Sequence, residues 1–159
     1  MGYEIGTKEL AAQTVTSMRR RVALADLSPF IEQAIAEMRG MLRDAGVPEA
    51  GAPFVIFHDK VVEDHDGEVE VCMPCAASDL DEGVVERREL PAARVAFARV
   101  PSESARYPEI IGAYDAVADR IVRDGFLLGD APREIYDGEA TEVVWPIGGS
   151  AEDTHATVK

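Results

Sequence analysis

The chain has 159 residues, 47 % of them apolar, and carries a formal net charge of −14. That length fits one domain or two small fused modules, and the acidic balance argues against a phosphate-binding surface, which needs clustered Lys and Arg. No apolar run approaches the roughly 20 residues of a membrane span, and Met1-Gly2-Tyr3-Glu4-Ile5 has neither the basic nor the apolar part of a signal peptide, so a cytoplasmic location is expected.

Residues 3–22 alternate loosely and read as one long or broken strand, with Tyr3, Ile5, Leu10, Val15 and Met18 as its apolar positions. Arg19-Arg20-Arg21, the basic cluster of the chain, reads as a solvated strand end. Ser28-Pro29 predicts a helix start, a hydroxyl cap followed by Pro in the first turn. Ile31, Ala34, Ile35, Met38, Met41, Leu42 and Ala45 then fall at helical spacing on one stripe, and Gly46 and Pro48 end the helix. Phe54-Val55-Ile56-Phe57 is a short apolar strand. A polar loop from His58 to Gly67 leads to a second strand, Glu68 to Met73, with Val69, Val71 and Met73 on one face.

Cys72 and Cys75 form a single Cys-Met-Pro-Cys. Zinc sites of this type need a second ligand pair, and His58 and His65 stand at no common spacing to provide it. A redox pair of this spacing opens a helix, whereas this one ends a strand. Ordinary buried cysteines are expected, with no metal and no cofactor.

Val84 to Leu90 and Arg94 to Val100 read as further strands. Pro108 opens a second helix, whose stripe is Ile110 or Ile111, Tyr114, Val117, Ala118, Ile121 and Val122, and Gly125 ends it. A hairpin follows: Arg133-Glu134-Ile135-Tyr136, a turn at Asp137-Gly138, then Thr141 to Ile147. Residues two apart on a strand share a face. Glu134 and Tyr136 therefore point one way and Arg133 and Ile135 the other, while Val143, Trp145 and Ile147 alternate likewise. A carboxylate and a phenol side by side, with an indole on the next strand, can receive a flat, cationic or polarised organic molecule. The segment from Gly148 to Lys159 has no periodicity and is expected to be a disordered tail.

The two halves repeat. Glu9-Leu10-Ala11-Ala12 matches Glu89-Leu90-Pro91-Ala92, and Val15 matches Val95. Ala52-Pro53 before Ile56-Phe57 matches Ala131-Pro132 before Ile135-Tyr136, and Glu70-Val71 before Pro74 matches Glu142-Val143 before Pro146. Each half is strand, helix, strand, strand. One such unit buries its helix and sheet face poorly alone. The expectation is one α+β domain over residues 1–147. It is built from pseudo-repeats at about 3–75 and 84–147, giving duplicated βαββ units, an antiparallel sheet with two helices and a central ligand groove. The halves differ where it matters: Val55 and Phe57 in the first stand where Glu134 and Tyr136 stand in the second.

On these segments, together with Tyr107 to Tyr114, the sequence resembles the GyrI-like family, the bacterial transcription-activator effector-binding domains. The likeness spans roughly residues 3 to 147. It implies a duplicated βαββ fold with a ligand groove, and a function in binding drug-like molecules, in regulators or alone. One stand-alone member inhibits DNA gyrase, and some hydrolyse the cyclopropane ring of alkylating natural products. The family's acidic pocket-base residue corresponds to Glu134. Its aromatic walls correspond to Tyr136 and Trp145, with Tyr107, Tyr114 and Phe57 as further candidates.

Beside these readings stand plainer ones. Glu134 can be a surface glutamate in a weak ion pair, Trp145 ordinary sheet packing, Tyr114 helix core, and Glu142, otherwise a candidate second pocket carboxylate, a solvated strand end like its counterpart Glu70. The first functional reading is a stand-alone binding domain for hydrophobic, cationic or electrophilic small molecules, with Glu134 as counter-charge. The alternative is a ring-opening hydrolase with Glu134 as general base and Tyr136 stabilising developing charge. A partner-inhibiting protein module is the third. The chain starts in its first strand, so no direct nucleic-acid contact is expected, nor any membrane contact. A monomer is expected because the duplication already supplies two modules.

Overall fold

The computed structural model describes residues 3–76 and 85–150. The strands are β1 (Glu4–Leu10), β2 (Gln13–Val22), β3 (Phe54–Phe57), β4 (Gly67–Pro74), β5 (Val85–Leu90), β6 (Ala93–Pro101), β7 (Phe126–Leu128), β8 (Arg133–Tyr136) and β9 (Ala140–Ser150). The helices are α1 (Leu24–Ala45) and α2 (Ile111–Arg123). The chain divides into two compact units, one formed by the residues up to Ala11 together with those from Ala92 on, the other by Ala12–Pro91. Among the described residues the strands within each unit pair antiparallel, and the fold is α+β.

In the second unit the strands run β3-β4-β2-β5, with α1 packed on β2 and β4. Helix α1 begins at Leu24, earlier than the Ser28-Pro29 signal, and Pro29 lies inside it. The chain leaves β2 at Val22 and turns at once into the helix. Asp26 then sits in the first turn, where a carboxylate favours the helix dipole. The face against the strands is Phe30, Ala34, Met38 and Leu42, four residues apart. Ile31, Ile35 and Met41 lie at its half-buried margin and Ala45 is exposed, so the buried stripe is narrower than the apolar pattern. Gly46 closes the helix at φ 71°, the left-handed conformation that glycine takes without strain. Gly67 starts β4 where a Cβ would fall 2.1 Å from the Lys60 carbonyl oxygen, so the polar loop closes only over glycine. Cys72 and Cys75 are buried, as expected, and form no disulfide with each other. Burial pushes the Cys75 thiol up.

In the first unit the strands run β1-β6-β9-β8, with β7 on β9. Helix α2 starts at Ile111, after a turn that includes Pro108. It packs Ala113, Val117 and Ile121, with Ile110 just before it, onto Ala96, Ala98, Val100 and Val143. Val122, placed on the buried stripe by spacing, is instead 63 % exposed, because the contact face spans only one residue per turn. Strand β7 was not expected; its three apolar residues do not alternate, and all are exposed. It pairs Phe126 with Ser150 and Leu128 with Ile147, so β9 runs through Gly148 and Gly149, residues read from sequence as tail. The rest of that tail, 151–159, lies outside the described residues, as does Val84 at the start of its strand.

The long N-terminal strand is broken at Ala11-Ala12, and the break matters. Strand β1 pairs with β6 of the other repeat, and β5 pairs with β2. Each repeat gives its first strand to its counterpart. The registers agree: Lys8 lies opposite Val95, and Arg88, its repeat equivalent, lies opposite Val15, the equivalent of Val95.

Candidate functional site

Strand β8 is four residues long and pairs with β9, Glu134 opposite Val143 and Tyr136 opposite Thr141. Val143 packs under α2, so Glu134 and Tyr136 emerge on the α2 side. The Tyr136 hydroxyl donates to Glu134 Oε1 at 3.0 Å. The Tyr114 hydroxyl, reaching from α2, donates to Glu134 Oε2 at 2.5 Å. Trp145, half-buried on β9, meets the Tyr114 ring edge-on, with centroids 6.4 Å apart and planes at 80°. Tyr114 is thus both helix packing and part of the site. Only the three-dimensional fold brings it to Glu134, twenty residues away in the chain.

Burial raises the Glu134 pKa, and the two phenol hydrogen bonds oppose that rise without cancelling it. Burial, then the nearby Glu134 charge, pushes both Tyr114 and Tyr136 far above the ordinary phenol range, so each remains a donor. Among the described residues no Lys, Arg or His makes an ion pair with Glu134. The arrangement is a half-buried carboxylate held at both oxygens by neutral donors, beside an indole. Chemically, such an arrangement can accept positive charge on a flat or apolar carrier. No cluster of metal-ligating side chains occurs among the described residues.

Of the other candidates, Tyr107 is half-buried ahead of α2, and no described hydrogen bond or ring contact joins it to Glu134. Phe57 is half-buried on β3, in the second unit. Glu142 is a correction. It is no solvated strand end but is 7 % exposed, receives a hydrogen bond from Lys8, and lies 3.7 Å from Arg99 Nη1. Glu70 is its counterpart and is fully buried. Arg88 Nε lies 2.8 Å from its Oε2, and His58 Nε2 and Arg19 Nη2 reach its Oε1 at 2.8 and 3.1 Å. Desolvation pushes the Glu70 carboxyl up. The bonds from His58 and Ser17 and the charges of Arg88 and Arg19 outweigh it, and the carboxyl lies below its usual range. The cluster Arg19-Arg20-Arg21 is exposed near the end of β2, as expected, and each member has a partner: Arg19 with Glu70, Arg20 over the Phe30 ring, Arg21 with the Asp66 carbonyl.

Sequence reasoning missed Arg99 and Asp137. Arg99 Nη1 lies 2.9 Å from Asp137 Oδ2, and Asp137 Oδ1 accepts the backbone N–H of Glu139 and of Ala140, each at 3.0 Å. The two backbone donors, then Arg99, lower the Asp137 pKa to about 2. The repeat held a signal for this: Arg19 and Arg99 occupy matching positions, opposite the matching Glu70 and Glu142.

Removing one donor tests the site's electrostatics. Tyr114→Phe takes away a bond that favours the charged carboxylate, so the Glu134 pKa moves further up. The pH midpoint of a Glu134-sensitive signal, such as carboxyl chemical shift, is expected to rise relative to the parent.

The α+β fold is shared with several solved structures. It superposes on the EcmrR C-terminal domain with a TM-score of 0.74 at 22 % identity, covering 94 % of this chain and 99 % of that one. A structure of SAV2435 bound to tetraphenylphosphonium matches at TM-score 0.59 and 15 % identity, covering 98 % and 99 %. EcmrR in a DNA complex matches at TM-score 0.76 and 22 % identity over 92 % of this chain, which spans 58 % of the length of that one. No protein-family model and no curated protein sequence matches the chain.

Proposed function

We propose that the chain binds hydrophobic organic cations, to sense or sequester them, through Glu134, Tyr114, Tyr136 and Trp145. One observation carries this reading. Glu134 is partly withdrawn from water and shares its charge with two phenols but with no cation among the described residues. A ligand that brings the missing positive charge relieves the cost of that burial, and a delocalised cation can also lie against the indole. The bound tetraphenylphosphonium of SAV2435, a protein of the same fold, supports this ligand class. The cluster is built from one chain, so the reading needs no second copy. No helix among the described residues is long and apolar enough to cross a membrane.

Calorimetry with tetraphenylphosphonium and with a neutral isostere, tetraphenylmethane carrying a solubilising group, tests the reading. Saturable binding of the cation alone is expected, stronger as pH rises through the Glu134 pKa and level above it. Equal binding of the neutral compound overturns the counter-charge role. A cyclopropane-bearing alkylator returned heavier by one water, with turnover, overturns binding without chemistry.

A further inference from the structure

Glu134 and Tyr136 sit on a strand of only four residues, at the end of a hairpin. So short a ladder frays readily unless its turn is tied down. We propose that Arg99 is the positioning residue that ties it, setting Glu134 and Tyr136 for ligand capture from the opposite side of the strands. The inference rests on the ligand-binding reading above.

Arg99 stands on β6 opposite Glu142 of β9, and Glu142 stands opposite Ile135, the residue between Glu134 and Tyr136. From there its guanidinium holds Asp137, the residue directly after Tyr136, at 2.9 Å. Asp137 uses its other oxygen to close the turn onto Glu139 and Ala140. Arg99 thus joins the turn to the strand beneath it, while Lys8 on β1 holds Glu142 from the far side and packs its ammonium 4.7 Å from the Phe97 ring. The charged groups about Arg99 are Asp137 on the turn, Glu142 on β9 and Glu4, opposite it on β1. On the other side Glu134 faces Tyr114 from α2 and Tyr136 from its own strand.

The repeat supplies an internal control. Arg19 occupies the same place in the other unit, opposite Glu70 and paired with it. Its side chain is 41 % exposed against 34 % for Arg99. Its neighbouring hairpin, however, carries Val55 and Phe57 in place of the carboxylate and phenol. A structural ion pair predicts similar consequences for the two arginines. A positioning role predicts that they part.

Arg99→Met, Arg99→Lys and Arg19→Met in the full chain are compared in two measurements. The first is tetraphenylphosphonium affinity. Arg99→Met is expected to weaken it about tenfold, as sub-ångström displacement of a binding group does. Arg19→Met should stay within about twofold of the parent even where it melts earlier, and Arg99→Lys should recover part of the loss. The second measurement is Trp145 emission against pH without ligand. Trp145 is the single tryptophan, and its edge contact with Tyr114 reports on the Glu134 hydrogen bonds. Its midpoint should move up in Arg99→Met, where the loosened strand weakens the Tyr136 bond that favours the charged carboxylate, and stay in place in Arg19→Met. Equal effects of the two Met variants, or none from Arg99→Met, overturn the proposal. Should the parent not bind the cation, the ligand reading fails, and the ligand-free midpoint alone decides whether Arg99 sets Glu134.

Discussion

Glu134→Gln should abolish cation binding and leave the protein at least as stable as the parent. The two effects have one origin. A carboxylate in a half-buried site is costly to ionise, which is why its pKa is raised. The amide keeps the shape, and its oxygen can still accept a phenol hydrogen bond, but it carries no charge. Loss of the counter-charge to a desolvated cation is worth about 2–5 kcal/mol, so affinity should fall by about thirtyfold or more. Stability moves the other way. An acid whose folded pKa lies above its unfolded value stabilises the fold most at low pH, and that contribution disappears as pH rises through the folded pKa. The variant lacks this term. Its melting temperature should therefore gain on the parent's as pH rises, by about 2–4 °C for each kcal/mol. Melting curves at several pH values, beside calorimetry, measure both. A variant that melts well below the parent at neutral pH assigns Glu134 to structure instead. Such opposition between stability and binding is usual where a site holds unfavourable charge for a ligand.

Glu70→Ala should be the most damaging of the charge deletions. The carboxylate is fully buried and is met by Arg19, Arg88 and His58. Its removal leaves those groups facing each other over an apolar gap. Breaking a buried pair costs about 3–5 kcal/mol. The arginines here are partly exposed and can turn to water, so the lower end applies, about 3 kcal/mol or a fall of about 6–12 °C. Glu142→Ala should cost less, because Arg99 keeps Asp137. The pH dependence follows from the lowered carboxyl of Glu70. A depressed pKa gives stability that is complete above the unfolded value and is lost as pH falls through the folded one. Asp137, moved from 3.8 to about 2, behaves alike. The parent should weaken progressively from the ordinary carboxylate range down toward about pH 2. Glu70→Ala should show a shallower decline, measured by urea unfolding at each pH. An unchanged slope would assign the acid sensitivity elsewhere.

How far the sequence speaks differs from element to element. Glu134 and Tyr136 were legible because period-two alternation places them together, and because the first repeat offers Val55 and Phe57 for contrast. Strand β3 fell where its short apolar run put it, and β8 where its alternation did. By spacing Tyr114 read as helix stripe, and only the resemblance made it a candidate pocket wall, since nothing local links it to a carboxylate on a later strand. Strand β7 was invisible because its exposed Phe126, Leu127 and Leu128 carry no alternation, and pairing with β9 alone defines it. Helix α1 began early because the chain turns straight out of β2, which overrode a good cap signal at Ser28. The burial of Glu70 and Glu142 was missed for a deeper reason. What makes their burial tolerable is Arg88 and Lys8, and these arrive on strands that belong to the opposite repeat. Periodicity cannot show that exchange, although the matched arginines and glutamates hint at it.

The exchange also orders events in time during synthesis. The unit from Ala12 to Pro91 is continuous in the chain and can close on itself as soon as it leaves the ribosome. Strand β1 is made first, yet its partner β6 begins only at Ala93. It must wait, unpaired, while the whole intervening unit is made and folds. A waiting strand edge invites association with other nascent chains. Its sequence answers that hazard with Glu4, Lys8 and Glu9, charges that keep the edge in water until its own partner emerges.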